Sequence, residues 1–260
     1  MAVSVQSNQV FGSDPMQQAD IFLPDQPNGA GLLFVHGGAW VRGDKTDGVD
    51  LCTALAEVGF TMAAPNYRLA PAHLFPAAHD DVDACFTWFK ESEFGKNLKT
   101  FGVFGISVGG SMAQIVAAKH GVAVTSWSAI VGIADWMASH QDVTPSLNAA
   151  EELGLSDPHA LNAAFYRGFV ETYLGETTAE RLDELETINQ MSNNVGPVLM
   201  FNSVDEISPI DSATEYFKQL VHLQPDAQLN ILSGSAHAGG YADRAMSATI
   251  AFFNRTLLDQ

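Results

Sequence analysis

The sequence predicts an α/β protein: a mostly parallel central sheet flanked by helices, interrupted once, late in the chain, by a helical insertion. Three observations carry this expectation. Short apolar runs alternate with amphipathic stretches up to residue 131 and again from residue 193. Residues 31–35 and 101–104 are unbroken apolar runs, as strands buried on both faces show. Between the two alternating blocks, residues 132–192 lose the rhythm and read as helices and loops.

The elements follow in order. Residues 3–10 and 17–23 read as short strands joined by a turn containing Gly12, Asp14 and Pro15. After a second turn comes the buried strand 31–35, which ends in His36-Gly37-Gly38-Ala39-Trp40. Thr46 is placed to cap a helix running to Val58, with Gly59 as its stop, and 60–64 forms the next strand. A long connection, 65–76, leads to a helix over 77–93 whose stripe is Val82, Cys85, Phe86 and Phe89. The strand 101–104 breaks at Gly105-Ile106-Ser107-Val108-Gly109 and continues as a helix closed by Gly121. A strand over 122–131 precedes the insertion, where helices are expected near 146–153, 158–173 and 178–187. The rhythm resumes with strand 197–201, helix 208–223, strand 228–232 and a last helix over 240–258. The domain reading is a core made of 1–131 and 193–260, with 132–192 as a cap over the C-terminal strand ends. That is where α/β sheets place their active sites.

Composition excludes several functions. The chain has 12 basic against 30 acidic residues, a formal net charge of −18. This argues against nucleic-acid binding and against docking to anionic membranes. No apolar run of about 18 residues exists, so membrane insertion is not expected. The N-terminus shows neither a basic nor an apolar signal region, and Cys52 and Cys85 read as buried free thiols, so a cytoplasmic location is the expectation.

Strand, Gly-x-Ser-x-Gly and helix in succession is the layout of a nucleophile elbow. A serine hydroxyl needs a base, the base is best an imidazole, and the imidazole needs a carboxylate to orient it. In this topology the acid and then the histidine follow the serine, each on a loop at a strand end. Among eight histidines, His237 lies after the last strand and directly before the final helix. His140 and His159 fall in the insertion, His73 precedes the serine, and His79, His120 and His222 lie on helices. The acid is expected after strand 197–201, where Asp205 is the first choice and its neighbour Glu206 the alternative, since spacing does not rank adjacent loop residues. Gly37, Gly38 and the N–H of Val108 are the expected oxyanion donors. Ser107, Asp205 and His237 thus make a serine hydrolase triad.

HGGAW at 36–40, NYRLAP at 66–71, FPAA at 75–78 and GISVGG at 105–110 resemble the α/β-hydrolase esterases related to hormone-sensitive lipase and to bacterial feruloyl and acetyl esterases. The resemblance implies the α/β-hydrolase fold, hydrolysis of short-acyl carboxylic esters through an acyl-serine, and neither metal nor organic cofactor. It implies a small-molecule ester as substrate, and the final helix and edge strand as surfaces for a homodimer. Ala39 followed by Trp40 departs from the family's usual His-Gly-Gly-Gly and also resembles the loop of arylformamidases, so an aryl-formamide amidase is a second reading. A non-catalytic ligand-binding protein on the same fold is a third. Val108 stands where the family often has alanine, and its bulk is expected to limit the substrate. The N-terminal helical cap common among the lipase relatives is expected to be missing, which leaves 132–192 as the lid.

That insertion holds 11 acidic and 2 basic residues, so −9 of the net charge sits there. Charges screen over about 8 Å at physiological salt, so only a weak bias against anionic substrates follows. Trp40, Trp136, Phe165, Phe169 and Tyr241 are candidate pocket residues, with Met137, Tyr166 and Tyr173 beside them. The alternative for such aromatics is packing of cap on core.

Overall fold

All eight expected strands form and pair into one sheet, in the order β1-β2-β4-β3-β5-β6-β7-β8. A computed structural model describes residues 2–259. The strands are β1 (Val3–Val10), β2 (Gln18–Pro24), β3 (Ala30–Val35), β4 (Thr61–Pro65), β5 (Thr100–Ile106), β6 (Ala123–Trp127), β7 (Val198–Ser203) and β8 (Ala227–Leu232). β1 and β2 pair antiparallel, and β2 joins β4 antiparallel; every later pairing is parallel. Sequence neighbours joined by a short turn pair antiparallel, whereas a helical crossover returns the chain parallel.

Successive side chains of β3 divide the molecule. Leu33 and Val35 enter a large core shared with α2 (Ala77–Glu91), α3 (Val108–His120) and the insertion. Leu32 and Phe34 enter a smaller one with α1 (Val49–Glu57) and α10 (Ala242–Phe253). A period of two along a central strand, apolar at every position, requires two covered faces. Cys52 and Cys85 lie in these two cores as buried free thiols.

Between β6 and β7 the chain forms α4 (Ile133–Ser139), α5 (Ala149–Glu152), α6 (Pro158–Leu174), α7 (Ala179–Leu185) and α8 (Thr187–Gln190). After β7 come α9 (Ile210–Leu223), β8 and α10. Asp157 caps α6 by accepting from Ala160 N at 2.9 Å, and Pro158 occupies its first turn. α4 is absent from the sequence expectation, and the reason is physical. Its first N–H groups are satisfied from afar: the Glu186 carboxylate accepts from Gly132 N and Ala134 N, both at 3.0 Å. No local pattern announces a cap supplied across such a sequence gap. β6 is also shorter than expected, because Ser128 turns out of the strand at φ 51°.

Among the described residues, no helix is long and apolar enough to cross a membrane. The sheet's central junction is tightly packed. A Cβ at Gly109 would sit 2.3 Å from the carbonyl oxygens of both Val35 and His36, and one at Gly105 would sit 2.2 Å from Gly109 O. These neighbours are backbone and cannot rotate away. Gly109→Ala is expected to lower the unfolding free energy by about 3 kcal/mol, read from urea denaturation midpoints.

Candidate active site

Three loops and one turn meet over the C-terminal ends of the parallel strands. β5 ends in the Ser107 turn, where the backbone adopts φ 54° and ψ −129° before α3 begins at Val108. Ser107 N donates to Trp127 O at 2.8 Å, and Gly110 N returns to Ser107 O at 2.8 Å. Gly37 lies directly against this turn, since a Cβ on it would meet Ser107 Cβ at 3.0 Å. The expected elbow and the expected glycine loop are therefore in contact.

The glycine loop is held by its carbonyls. Tyr67 Oη lies 3.0 Å from His36 O and 3.1 Å from Gly37 O, and its ring stacks on His36 at 4.2 Å. Gly38, at φ 115°, accepts from Val41 N and Arg42 N. The N–H groups of Gly37 and Gly38 donate to no group among the described residues. The first N–H groups of α3 likewise have no intrahelical acceptor. The NYRLAP motif is explained by the same loop. Asn66 accepts from Lys45 N at 2.6 Å and donates to Asp44 at 2.8 Å, and Arg68 grips buried Asp81 through Nε and Nη2. Ala39 and Trp40 both sit at φ 58°, a region that costs non-glycine residues roughly 1–2 kcal/mol each.

His237 follows β8 as expected, half-exposed, and opens a tight turn, Ala238–Tyr241, that leads into α10. Its Nδ1 contacts Glu206 Oε2, and that carboxylate is fully buried. Glu206 Oε1 accepts from Ser203 N at 2.6 Å and from Ser128 Oγ at 2.9 Å. Ser128 Oγ also accepts from Ala238 N at 2.9 Å and lies 2.8 Å from Tyr241 Oη. With Nδ1 bound to a carboxylate, the ring carries its proton there and leaves Nε2 as an acceptor.

The carboxylate behind His237 is thus Glu206 and not Asp205. Val204 N and Asp205 N still pair with Leu232 O and Gly234 O, which turns the Asp205 side chain outward. It is 62% exposed and lies 3.6 Å from His159 Nδ1 on α6. The next residue faces inward, and the extra methylene of glutamate reaches the imidazole. Ser128 carries no motif; its only signal in the sequence is a serine at the end of β6, beside the elbow strand.

Ser107, His237, Glu206, Gly37 and Gly38 line one cavity of about 870 Å³, with Ile106, Ile130, Ile207, Phe165 and Phe169 as apolar wall. Trp40 is not part of that wall: it is fully buried, stacked on Tyr173 and away from the cavity. Trp136 instead lines a separate hollow with Tyr216 and stacks on His140. Tyr241 is buried under Ser128, and Met137, Tyr166 and Tyr173 are core residues. Val108 is also fully buried in the main core, so its side chain does not narrow the cavity. His159, in the insertion, lines the cavity as well. Among the described residues, no group of three metal-ligating side chains is found.

Ser107 and His237 thus face one cavity, with Glu206 holding the imidazole from behind and Gly37 packed against the serine turn. A model of the alpha/beta hydrolase fold family matches residues 32–239. An ethyl acetate hydrolase of Pseudomonas putida is 29% identical over 215 residues, covering 80% of this chain and 65% of that protein. Esterase LipC of Mycobacterium tuberculosis is 26% identical over 236 residues, covering 81% of this chain and 54% of its own length. The chain therefore spans between about half and two thirds of these relatives. A solved esterase/lipase from an uncultured bacterium superposes with a TM-score of 0.72 at 18% identity, covering 98% of this chain and 85% of that one.

Two outcomes are expected. Glu206→Gln lowers kcat by about 10³–10⁴-fold, while Asp205→Asn leaves it within about twofold, measured with p-nitrophenyl butyrate. The second concerns pH. Burial holds His79 at a pKa of about 3 in the folded chain, against 6.5 when free. Below pH 6.5 the unfolded chain therefore binds a proton that the folded chain refuses. Stability falls as pH drops from 6.5 toward 4, by up to about 1.4 kcal/mol per unit. His79→Gln is expected to flatten that slope in denaturation midpoints measured across the window.

Proposed function

We propose that this chain, which belongs to the alpha/beta hydrolase fold family, is a serine carboxylesterase acting on short-acyl esters. The observation that carries the reading is a convergence. Ser107, His237 and the Gly37–Gly38 loop line one cavity, and Glu206 is locked behind the imidazole. The esterase names of the relatives support it.

In this reading Ser107 Oγ attacks the ester carbonyl as His237 Nε2 takes its proton. The tetrahedral oxyanion rests on the N–H groups of Gly37, Gly38 and Val108. His237 then returns the proton to the departing alcohol, which leaves an acyl-Ser107. Water attacks this ester with His237 again as base, the acid departs, and the serine recovers its proton. Glu206 fixes the Nδ1–H and stabilises the imidazolium throughout.

Residues 132–192 serve as the cap and supply Phe165 and Phe169 as one wall. The chain acts on small molecules in the cytoplasm, without nucleic acid or cofactor, as a monomer or homodimer. Trp40 is buried away from the cavity, so its side chain does not meet a substrate there. Ser107→Ala is expected to reduce p-nitrophenyl acetate turnover by about 10⁵–10⁶-fold, and a fluorophosphonate probe should label wild-type Ser107. Wild-type turnover by the variant sinks the proposal. Faster hydrolysis of N-formylkynurenine than of p-nitrophenyl butyrate would replace it with the amidase reading.

A further inference from the structure

Trp40 is clamped behind the glycine loop, between the core and the insertion. Its indole stacks on Tyr173 of α6 at 4.5 Å between centroids and 12° between planes, and meets Phe169 edge-on at 5.9 Å. Tyr173 is itself tied to the core twice. Its hydroxyl lies 2.8 Å from His79 Nδ1 on α2, and its carbonyl accepts from Phe75 N at 2.9 Å. Phe75 adds an edge-to-face contact with the Tyr173 ring at 5.8 Å. Neither Trp40 nor Tyr173 lines the substrate cavity.

Trp40 stands two residues after Gly38, and both Ala39 and Trp40 hold left-handed backbone. Residues persist in that region only where their surroundings over-determine it. Backbone contacts account for part of the restraint: Ala70 N donates to Trp40 O, and Val41 N and Arg42 N donate to Gly38 O. What fixes the Trp40 side chain is the ring stack, and aromatic pairs of this geometry attract beyond their burial.

We infer that Tyr173 is a positioning residue for the oxyanion loop. By stacking on Trp40 it holds the Ala39–Trp40 turn in its left-handed form, and with it the N–H groups of Gly37 and Gly38. This rests on the esterase reading above. The donors matter most where charge develops on the carbonyl oxygen, so loosening them raises the barrier without weakening ester binding. An insertion helix thereby sets part of the catalytic geometry, and α6 is a fixed brace of the site.

The test is steady-state kinetics of Tyr173→Leu and Tyr173→Phe with p-nitrophenyl butyrate, each normalised to fluorophosphonate-titrated Ser107. Tyr173→Leu should lose roughly 10- to 100-fold in kcat, with KM within about twofold. Its affinity for an alkyl trifluoromethyl ketone, whose serine adduct carries the oxyanion, should fall by the same factor. Tyr173→Phe keeps the stack and should retain kcat within about twofold, although loss of the His79 partner lowers its melting temperature. Leu55→Ala, on the opposite face of the sheet, should lower the melting temperature and leave kcat intact. Where Tyr173→Leu does not fold, Trp40→Phe takes its place under the same criteria. A folded Tyr173→Leu with wild-type kcat and ketone affinity overturns the inference. A wild-type enzyme that the probe does not label at Ser107 overturns the esterase reading instead.

Discussion

The site depends on a steric constraint at one turn. Ser107 must leave a buried strand and enter a helix within a single residue, at φ 54°. That is tolerable only because Gly105 and Gly109 lack side chains. A Cβ on either would collide with backbone at 2.2–2.3 Å. The close packing of β3, β5 and α3 against one another brings Gly37 onto Ser107, so the proposed nucleophile and oxyanion donors are neighbours without any side chain joining them. Strain at the turn is held by the sheet, whose central strands are buried on both faces.

The acid shows a different logic, in which depth decides and spacing does not. Glu206 is fixed by Ser203 N, Ser128 Oγ and His237, and its own carboxylate is fully buried. A buried carboxylate needs such partners, because unmet lone pairs in a low-dielectric interior are costly. Asp205, one residue earlier, meets solvent and is free of that requirement. Ser128 completes the arrangement by leaving β6 in a left-handed conformation, which aims its hydroxyl at the acid and the His237 loop together.

These two cases also show what was legible in the sequence. Strand and helix types followed from apolar runs and periodicity, so the sheet, the elbow and the His237 loop could be placed from residues alone. Side-chain direction within a loop is not legible in this way, so spacing does not separate Asp205 from Glu206. The same limit applies to Trp40 and Val108: their types suit a pocket wall as well as a core, and only the packing of α3 and α6 turns them inward. α4 has no local signal because its cap, Glu186, comes from a distant part of the chain. Phe165 and Phe169 line the cavity, although their helical spacing suits a pocket wall and a core alike.

The insertion's aromatic residues have a consequence for how this chain can change. Trp136, Tyr166, Phe169 and Tyr173 share a single apolar core with Leu33, Val35 and Val103 of the sheet. A segment built this way is not a detachable module. Excising it would leave a broad oily face on the main body, and grafting a foreign one would demand that its buried ring positions match. Variation in substrate range is therefore most accessible through its outward loops and cavity-facing tips, at residues such as Asn162 and His159, while the rings beneath remain fixed by the scaffold they complete.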